Sequence, residues 1–385
     1  MLNSETIQTT QNAVSIYIAG MPTSYDLNSS DSKSESYLYC SRHEQCDLED
    51  TITADKVLKE YLSLENNAKG EYKIHNLVNR LNTVSLTEEQ ASKIDFVYSH
   101  TPKEVLNLFA REVALYSPGP EDEPSNWSNK FLEKGDYNPK KDFDIKWKHC
   151  AIDIPLITYN LLYDNRRQRN PEFNNFDPRI VFAITMLHDI ARFKQLDLTD
   201  EWDDRGFEHA EEAERIIEND NNLKRIFNDH EIQIIKAATK YHNKIEVDNS
   251  DEMFRTDSEA LMYSYLIRDI DKLANLFGKD GIANLRNRAL NTGRYRDSNI
   301  NTVALQSFLN MELVDKHKVD TLASLWIMYL AWIHEFHFDS SKTIFLERAL
   351  PVLMHNLQTE KEKGNISAEQ MHEIKDVVHS QAILS

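Results

Sequence analysis

The sequence predicts an all-α protein, and three observations carry that expectation. From residue 149 onward, apolar residues recur at every third or fourth position in one segment after another, the spacing that lays a stripe along one side of a helix. Helix signals bracket these segments: Asp177-Pro178 opens one, and Gly278 stops another. No segment in that part alternates apolar with polar residues as a half-buried strand would. One strand-like patch, Val14-Ser15-Ile16-Tyr17-Ile18, stands near the amino terminus instead.

Taken in order, the elements begin weakly. The Ser- and Asp-rich stretch from Asn28 to Ser36 is expected to be a loop. Helices become plausible from Thr53, where Val57, Tyr61, Leu62 and Leu64 form a partial stripe, and Thr87 with Gln90 is spaced for a capping box. In Thr101-Pro102-Lys103-Glu104, Thr is expected to cap, Pro to take the first helical position and Glu to reach back, with Leu106, Phe109 and Val113 on one face. Pro118, Gly119, Pro120, Pro124, Gly135 and Pro139 interrupt the pattern between Ser117 and Asp144, and a domain boundary is expected there. Helices are then predicted from His149 to Tyr163, Pro178 to Gln195, Phe207 to Asn219, Asp229 to His242 and Ser258 to Phe277. Others follow around Val303 to Phe308, from Thr321 to Phe336 and from Ser340 to Leu357.

Composition narrows the function classes. The 385 residues include 44 basic and 63 acidic side chains, a net charge of −19, which disfavours tracking along nucleic acid or anionic lipid. Phosphate binding then requires a local site built from metal ions or a few Arg and Lys. Cys40, Cys46 and Cys150 are too few for a disulfide framework, which fits a reducing, cytoplasmic setting. Cys40 and Cys46 flank His43, but five intervening residues is not zinc-finger spacing. The amino terminus lacks a basic region followed by an apolar stretch, so no cleaved signal is expected. The most apolar run, Leu322 to Ile333, is too short to span a bilayer. A soluble protein is expected.

The pair His188-Asp189 ends the apolar run Ile180 to Leu187. Burying a carboxylate costs several kcal/mol unless a cation compensates, and a bound metal is one such cation. Helical geometry puts His149 on a face with Ile152, Leu156 and Tyr163, and His188 on one with Val181, Ile184 and Thr185. His242 shares a stripe with Ala238 and Ile234, Asp271 with Ile267, Ser264 and Ala274, and His209 opens a stripe continued by Ala213 and Ile216. His230 lies on the His242 stripe but about 18 Å away at about 1.5 Å per residue, so it cannot ligate the same ion.

His149, Leu187-His188-Asp189-Ile190-Ala191-Arg192-Phe193, Glu208-His209-Ala210, Tyr241-His242-Asn243 and Arg268-Asp269-Ile270-Asp271-Lys272-Leu273, in that order, resemble the HD-domain metal-dependent phosphohydrolase superfamily. The chain is similar to a bacterial branch of it with a longer His-Asp-Ile-Gly-Arg-Phe motif and an Arg-Asp-Ala-Asp-Lys-Leu motif, here carrying Ala191 for Gly and Ile270 for Ala. The resemblance continues through Phe308-Leu309-Asn310 and Tyr329-Leu330-Ala331-Trp332, covers about residues 145 to 357, and leaves the N-terminal third unexplained.

It implies an HD-type helical bundle over residues 141–358 with additional C-terminal helices. A mostly helical N-terminal region, 1–140, would precede it and a polar C-terminal helix or tail, 359–385, would follow. It also implies that His149, His188, Asp189 and Asp271 hold one divalent ion, with His209 and His242 holding a second across Asp189. A carboxylate can bridge ions about 3.5–4 Å apart, and such a pair lowers the pKa of water and clamps phosphoryl oxygens. Mg, Mn or Fe suit a set of imidazole and carboxylate without thiolate better than a structural zinc does. Asp189, Lys272 and Arg192 are the expected catalytic residues, and Lys194, Gln195, Arg205 and Asn243 are candidates for substrate binding.

The expected activity is hydrolysis of a phosphomonoester or phosphodiester, in a nucleotide or other small phosphorylated metabolite, by a metal-activated hydroxide. Two alternatives remain: a di-iron oxygenase of the same superfamily, and a non-catalytic nucleotide sensor whose N-terminal region binds a protein partner. His317, His334 and His337 lack metalloprotease spacing, while Trp326, Tyr329, Trp332, Ile333 and Phe336 are expected to be a core helix covering the bundle. Arg166-Arg167-Arg169 reads as a solvated helix end. Arg286, Arg288, Arg294 and Arg296 are either plain surface or a lid over a phosphorylated substrate.

Overall fold

The computed structural model describes residues 51–53, 84–116, 139–163, 167–199, 207–244, 247, 252–277 and 295–383. The Val14 to Ile18 patch, Cys40, Cys46, the stripe from Val57 to Leu64, Arg166, Arg205 and the arginines from 286 to 294 lie outside them. What is described is mostly helical, as predicted. Its one strand ladder is antiparallel, β1 (Thr51–Thr53) against β2 (Ser85–Thr87), with Ile52 opposite Leu86.

β2 runs straight into α1 (Glu88–His100) through the expected capping box, in which Thr87 Oγ1 accepts from the Gln90 N–H at 3.1 Å and Gln90 Oε1 accepts from the Thr87 N–H at 3.0 Å. The cap expected at Thr101 fails. α2 (Lys103–Leu115) starts after Pro102 without a side-chain cap, and Thr101 instead donates its hydroxyl to Val97 O at 2.7 Å. With so short a connection, the hydroxyl reaches the open carbonyls ending α1 before it can reach the N–H groups opening α2.

Two compact units are present, one within residues 46–274 and the other containing 275–385. In the first, α3 (Pro139–Lys148) continues through a π-helical turn, His149–Asp153, into α4 (Ile154–Leu162). There follow α5 (Pro178–Leu187), α6 (Arg192–Thr199), α7 (His209–Asn219), the single turn α8 (Leu223–Ile226), α9 (Asp229–Tyr241), α10 (Glu252–Thr256) and α11 (Ser258–Phe277). α1 packs on α4 and α5, α2 on α5, α5 on α9, α9 on α7, and α6 on α3. The helices α1 and α2, from the region the sequence left unexplained, thus share a core with those that carry the histidines. Phe109 stacks on Trp147 with centroids 5.6 Å apart, and Phe193 meets both Phe109, at 6.5 Å, and Phe143, at 5.2 Å. These buried rings bind α2, α3 and α6 into one apolar cluster.

The single helix predicted from Pro178 to Gln195 is in fact two. α5 ends at Leu187, and the chain tightens through i+3 bonds, Ile190 N–H to Leu187 O at 3.1 Å and Arg192 N–H to Asp189 O at 2.9 Å, before α6 begins. The break falls on His188 and Asp189.

The second unit contains α12 (Thr302–Leu309), α13 (Leu322–Leu330) with a 3-10 turn over Ala331–His334, and α14 (Asp339–Ile344). A π turn, Phe345–Ala349, leads into α15 (Leu350–Glu362), and α16 (Ala368–Ile383) follows. α13 packs between α12 and α15, with Trp326 and Ile333 buried as expected of a core helix. α15 closes at Gly364, whose φ of +85° is the left-handed conformation that ends helices and favours glycine. Among the described residues, no helix is long and apolar enough to cross a membrane.

Phe109→Ala is expected to destabilise the first unit by about 3–5 kcal/mol, the usual cost of emptying a buried phenyl site. Urea unfolding followed by circular dichroism measures it; a loss below about 1 kcal/mol would mean that α2 is not part of this core.

Candidate metal centre

Five of the six predicted ligands sit where a helix starts, ends or changes pitch. His149 opens the π turn after α3, in which the Ile154 N–H bonds back five residues to His149 O. His188 caps the carboxyl end of α5 and Asp189 occupies the turn after it. His209 is the first residue of α7, and His242 ends α9. Asp271 alone is well inside a helix, α11. His188 and His209 are fully buried, and His149, Asp189 and His242 nearly so.

These side chains converge as two groups that share one member. His149, His188, Asp189 and Asp271 form one group and Asp189, His209 and His242 the other, with the ligand atoms of each within 4.8 Å of one another. His149 Nε2 lies 3.1 Å from Asp271 Oδ1. His188 Nε2 is 3.6 Å from Asp189 Oδ2 and 3.9 Å from Asp271 Oδ1. On the other oxygen, Asp189 Oδ1 is 3.3 Å from both His209 Nε2 and His242 Nε2. Asp189 therefore turns one oxygen to each group.

The donor set fits a cation. His188 donates from Nδ1 to Thr185 O at 3.0 Å, and His242 from Nδ1 to Thr239 O at 2.6 Å, which leaves both Nε2 atoms as lone-pair acceptors. His188 Nε2 has no hydrogen-bond partner among the described residues. The Nε2 atoms of His209 and His242 stand 3.3 Å apart. Buried nitrogen and carboxylate lone pairs pointed at one another are costly without a positive charge between them, so this buried group can hold a metal ion. Burial pushes the His188 imidazole down to about 3, which keeps it neutral and ready to ligate.

Within the protein itself, two cations already address Asp189. Lys146 pairs with Oδ2, and Arg192 Nε donates to Oδ1 at 3.3 Å. Burial alone would raise the Asp189 carboxyl, but the Lys146 charge beside it outweighs that and holds it well below the usual range. Asp271 is similar: burial acts upward, and His149 outweighs it. Sequence reasoning missed Lys146. Its position three residues before His149, which aligns both on one helix face, was the available signal.

The other predicted residues fall in different places. Arg192 is held by Gln195, whose Oε1 accepts from Nη1 at 2.8 Å, so Gln195 orients the arginine. Asn243 Nδ2 is 3.4 Å from His209 Nε2. Lys272 is buried beside Arg268 and Asp269, and burial, then the Arg268 charge, pushes its ammonium down to about 7. Lys194 is drawn to Glu212 on α7, at 2.5 Å. His230, set aside from the ligand set, pairs with Asp257 at the surface, 2.9 Å away. Among the described residues, no ligand group joins His317, His334 and His337. Arg296 pairs with Asp320, and Arg169 donates to the carbonyls of Phe173 and Phe176 rather than ending a solvated helix.

No family model matches the chain, and comparison with curated proteins and with solved structures returns no match.

Asp189→Ala, which takes an oxygen from both groups, is expected to abolish stoichiometric Mn(II) uptake in calorimetric titration. Retained uptake would refute the shared site. In metal-free protein, a His188 that titrates near 3 when folded and about 6.5 when unfolded binds its proton only after unfolding in that window. Its contribution to stability is therefore complete above about 6.5 and lost as pH falls from there towards 3. The midpoint of thermal unfolding should drop between pH 7 and 5, and His188→Gln should flatten that slope.

Proposed function

We propose that this chain is a metal-dependent phosphohydrolase of the HD type, acting on a phosphomonoester or phosphodiester of a nucleotide or another small phosphorylated metabolite. The observation that carries the proposal is the shared Asp189: one carboxylate offers an oxygen to each of two imidazole-containing ligand groups. When bound, a pair of divalent ions supplies the Lewis acidity that lowers the pKa of water and neutralises phosphoryl oxygens.

The ligand types favour Mn, Fe or Mg, since they combine imidazole with carboxylate. The one described cysteine near them, Cys150, does not alter that preference, because burial pushes its thiol far up and away from thiolate. His149, His188 and Asp271 would complete one half-site, and His209 and His242 the other.

Phosphate recognition also needs cations at the edge of the site, and the chain provides them. Arg192, braced by Gln195, holds its guanidinium against Asp189, and Lys146 reaches the same carboxylate from α3. With a divalent ion held by Asp189, these two side chains would be the cations nearest to a phosphoryl group at this carboxylate. Lys272, the residue after Asp271 in α11, is a third candidate, with its ammonium pushed down to about 7 by burial and then by the Arg268 charge. The net charge of −19 suits a small, locally gripped substrate better than a long nucleic acid.

The test is metal-loaded protein against a panel of nucleotides and phosphoesters, with phosphate release as the readout and Asp189→Ala as control. Turnover of at least one substrate with Mn(II), lost in Asp189→Ala, is expected. Equal release by both proteins would remove the assigned site from the reaction. Oxygen consumption with Fe(II) and no hydrolysis with Mn(II) would assign the chain to oxygen activation instead. Arg192→Ala is expected to lower kcat/KM by about 10²-fold or more, the scale of removing one charge-stabilising donor, while Mn(II) uptake persists.

A further inference from the structure

Arg268 is a guanidinium on α11 with only 2% of its surface exposed, and no part of the proposed chemistry uses it. Such burial is expensive for a group that cannot shed its charge, so the partners it finds indicate its role. Nη1 donates to Tyr241 O at 2.9 Å and also to Lys244 O. These two carbonyls flank His242, the residue that ends α9. The last carbonyls of a helix lack intrahelical partners and carry its negative pole, so a nitrogen donor with a fixed positive charge set between two of them suits them. One turn further along α11 comes Asp271, a ligand of the other group.

We infer that Arg268 is a positioning residue for the second ion: it clamps the carboxyl end of α9 so that His242 Nε2 stays in register with His209 and Asp189. The inference rests on the two-ion reading of the site. The His242 ring is oriented by Thr239 O within its own helix, but the helix end itself is tied to α11 through the Arg268 clamp. His149 and His188 do not depend on that clamp. His149 hydrogen-bonds Asp271 directly, and His188 is fixed by Thr185 O. α11 has an independent anchor near its start, where Tyr263 Oη accepts from the Asp177 N–H at 2.6 Å. Loss of the clamp therefore selects against one half-site.

The experiment titrates Mn(II) into wild type, R268M and R268K, following stoichiometry by calorimetry and spin coupling by electron paramagnetic resonance, with H242A as the reference for a lost second ion. Wild type is expected to take up two ions per chain with a coupled spectrum. R268M is expected to bind the second ion about 10–100-fold more weakly, the range found for outer partners of metal ligands, and to show the uncoupled spectrum of H242A. The first ion should bind as in wild type. R268K keeps a charge but on a shorter side chain that ends short of the two carbonyls, and should weaken the second ion as well; it decides the matter if R268M does not fold. Wild-type affinity for the second ion in R268K, or parallel weakening of both ions in the folded variants, would overturn the inference. A single ion in wild type would overturn the two-ion reading and the inference with it.

Discussion

The structure of the first unit depends on keeping one carboxylate charged in a place that water scarcely reaches. Asp189 is 2% exposed, and an ion so buried costs several kcal/mol unless opposite charge and hydrogen bonds surround it. The compensation comes from three separate elements: Lys146 on α3, Arg192 on α6 and His209 on α7. None of these reaches Asp189 unless its own helix end arrives at the same point. The carboxylate thus acts as a convergence condition on the whole unit. It also means that the site is electrically prepared: side-chain cations hold Asp189 ionised in advance, and its two oxygens already face the two histidine groups.

Helix ends are suited to this task, and the chain uses them repeatedly. A helix interior points its side chains outward at fixed intervals and satisfies its own backbone. An end leaves carbonyls and N–H groups open and lets the chain change direction within a residue or two. His188 and His242 each end a helix and each bond through Nδ1 to a carbonyl three residues back, Thr185 O and Thr239 O. That one local device selects the tautomer and aims Nε2 inward in both cases. The π turn at His149 and the tight turn at His188 to Ala191 belong to the same logic. Each sacrifices regular α pitch at the point where ligands must face a common centre. α11 then links the assembly by contributing Asp271, the Arg268 clamp and the Tyr263 anchor along one helix.

Much of this was legible in the sequence. Helical periodicity gave the all-α class and most of the helices, and facing stripes identified the inward side of His149, His188, His242 and Asp271. The capping box at Thr87 and Gln90 was readable because its two bonds join residues three apart. Other features were not, for identifiable reasons. Thr101 carries a cap signature, yet its hydroxyl satisfies the preceding helix, since two helix ends compete for one side chain across a short connection. The break at His188 falls where the apolar run ends, but helical spacing resumes at Ile190 and no Gly or Pro marks the interruption. Arg192 was expected to be catalytic and Lys194 to bind substrate, but their partners are tertiary: Glu212 captures Lys194, and Gln195 braces Arg192 against Asp189.

The chain by itself determined which residues face inward and which of them can ligate a metal, because helical period and side-chain chemistry are local properties. Spacing along the chain did not divide these ligands: the family resemblance implied two groups that share Asp189, and the tertiary structure brings the two groups together and turns one Asp189 oxygen to each. It also decided that Lys146 and Arg268 belong beside them. Those facts depend on distances between residues up to 122 positions apart, as in the contact from His149 to Asp271. Such distances are set by how α3, α5, α7, α9 and α11 bring their ends to one buried charge, and no interval along the sequence encodes them.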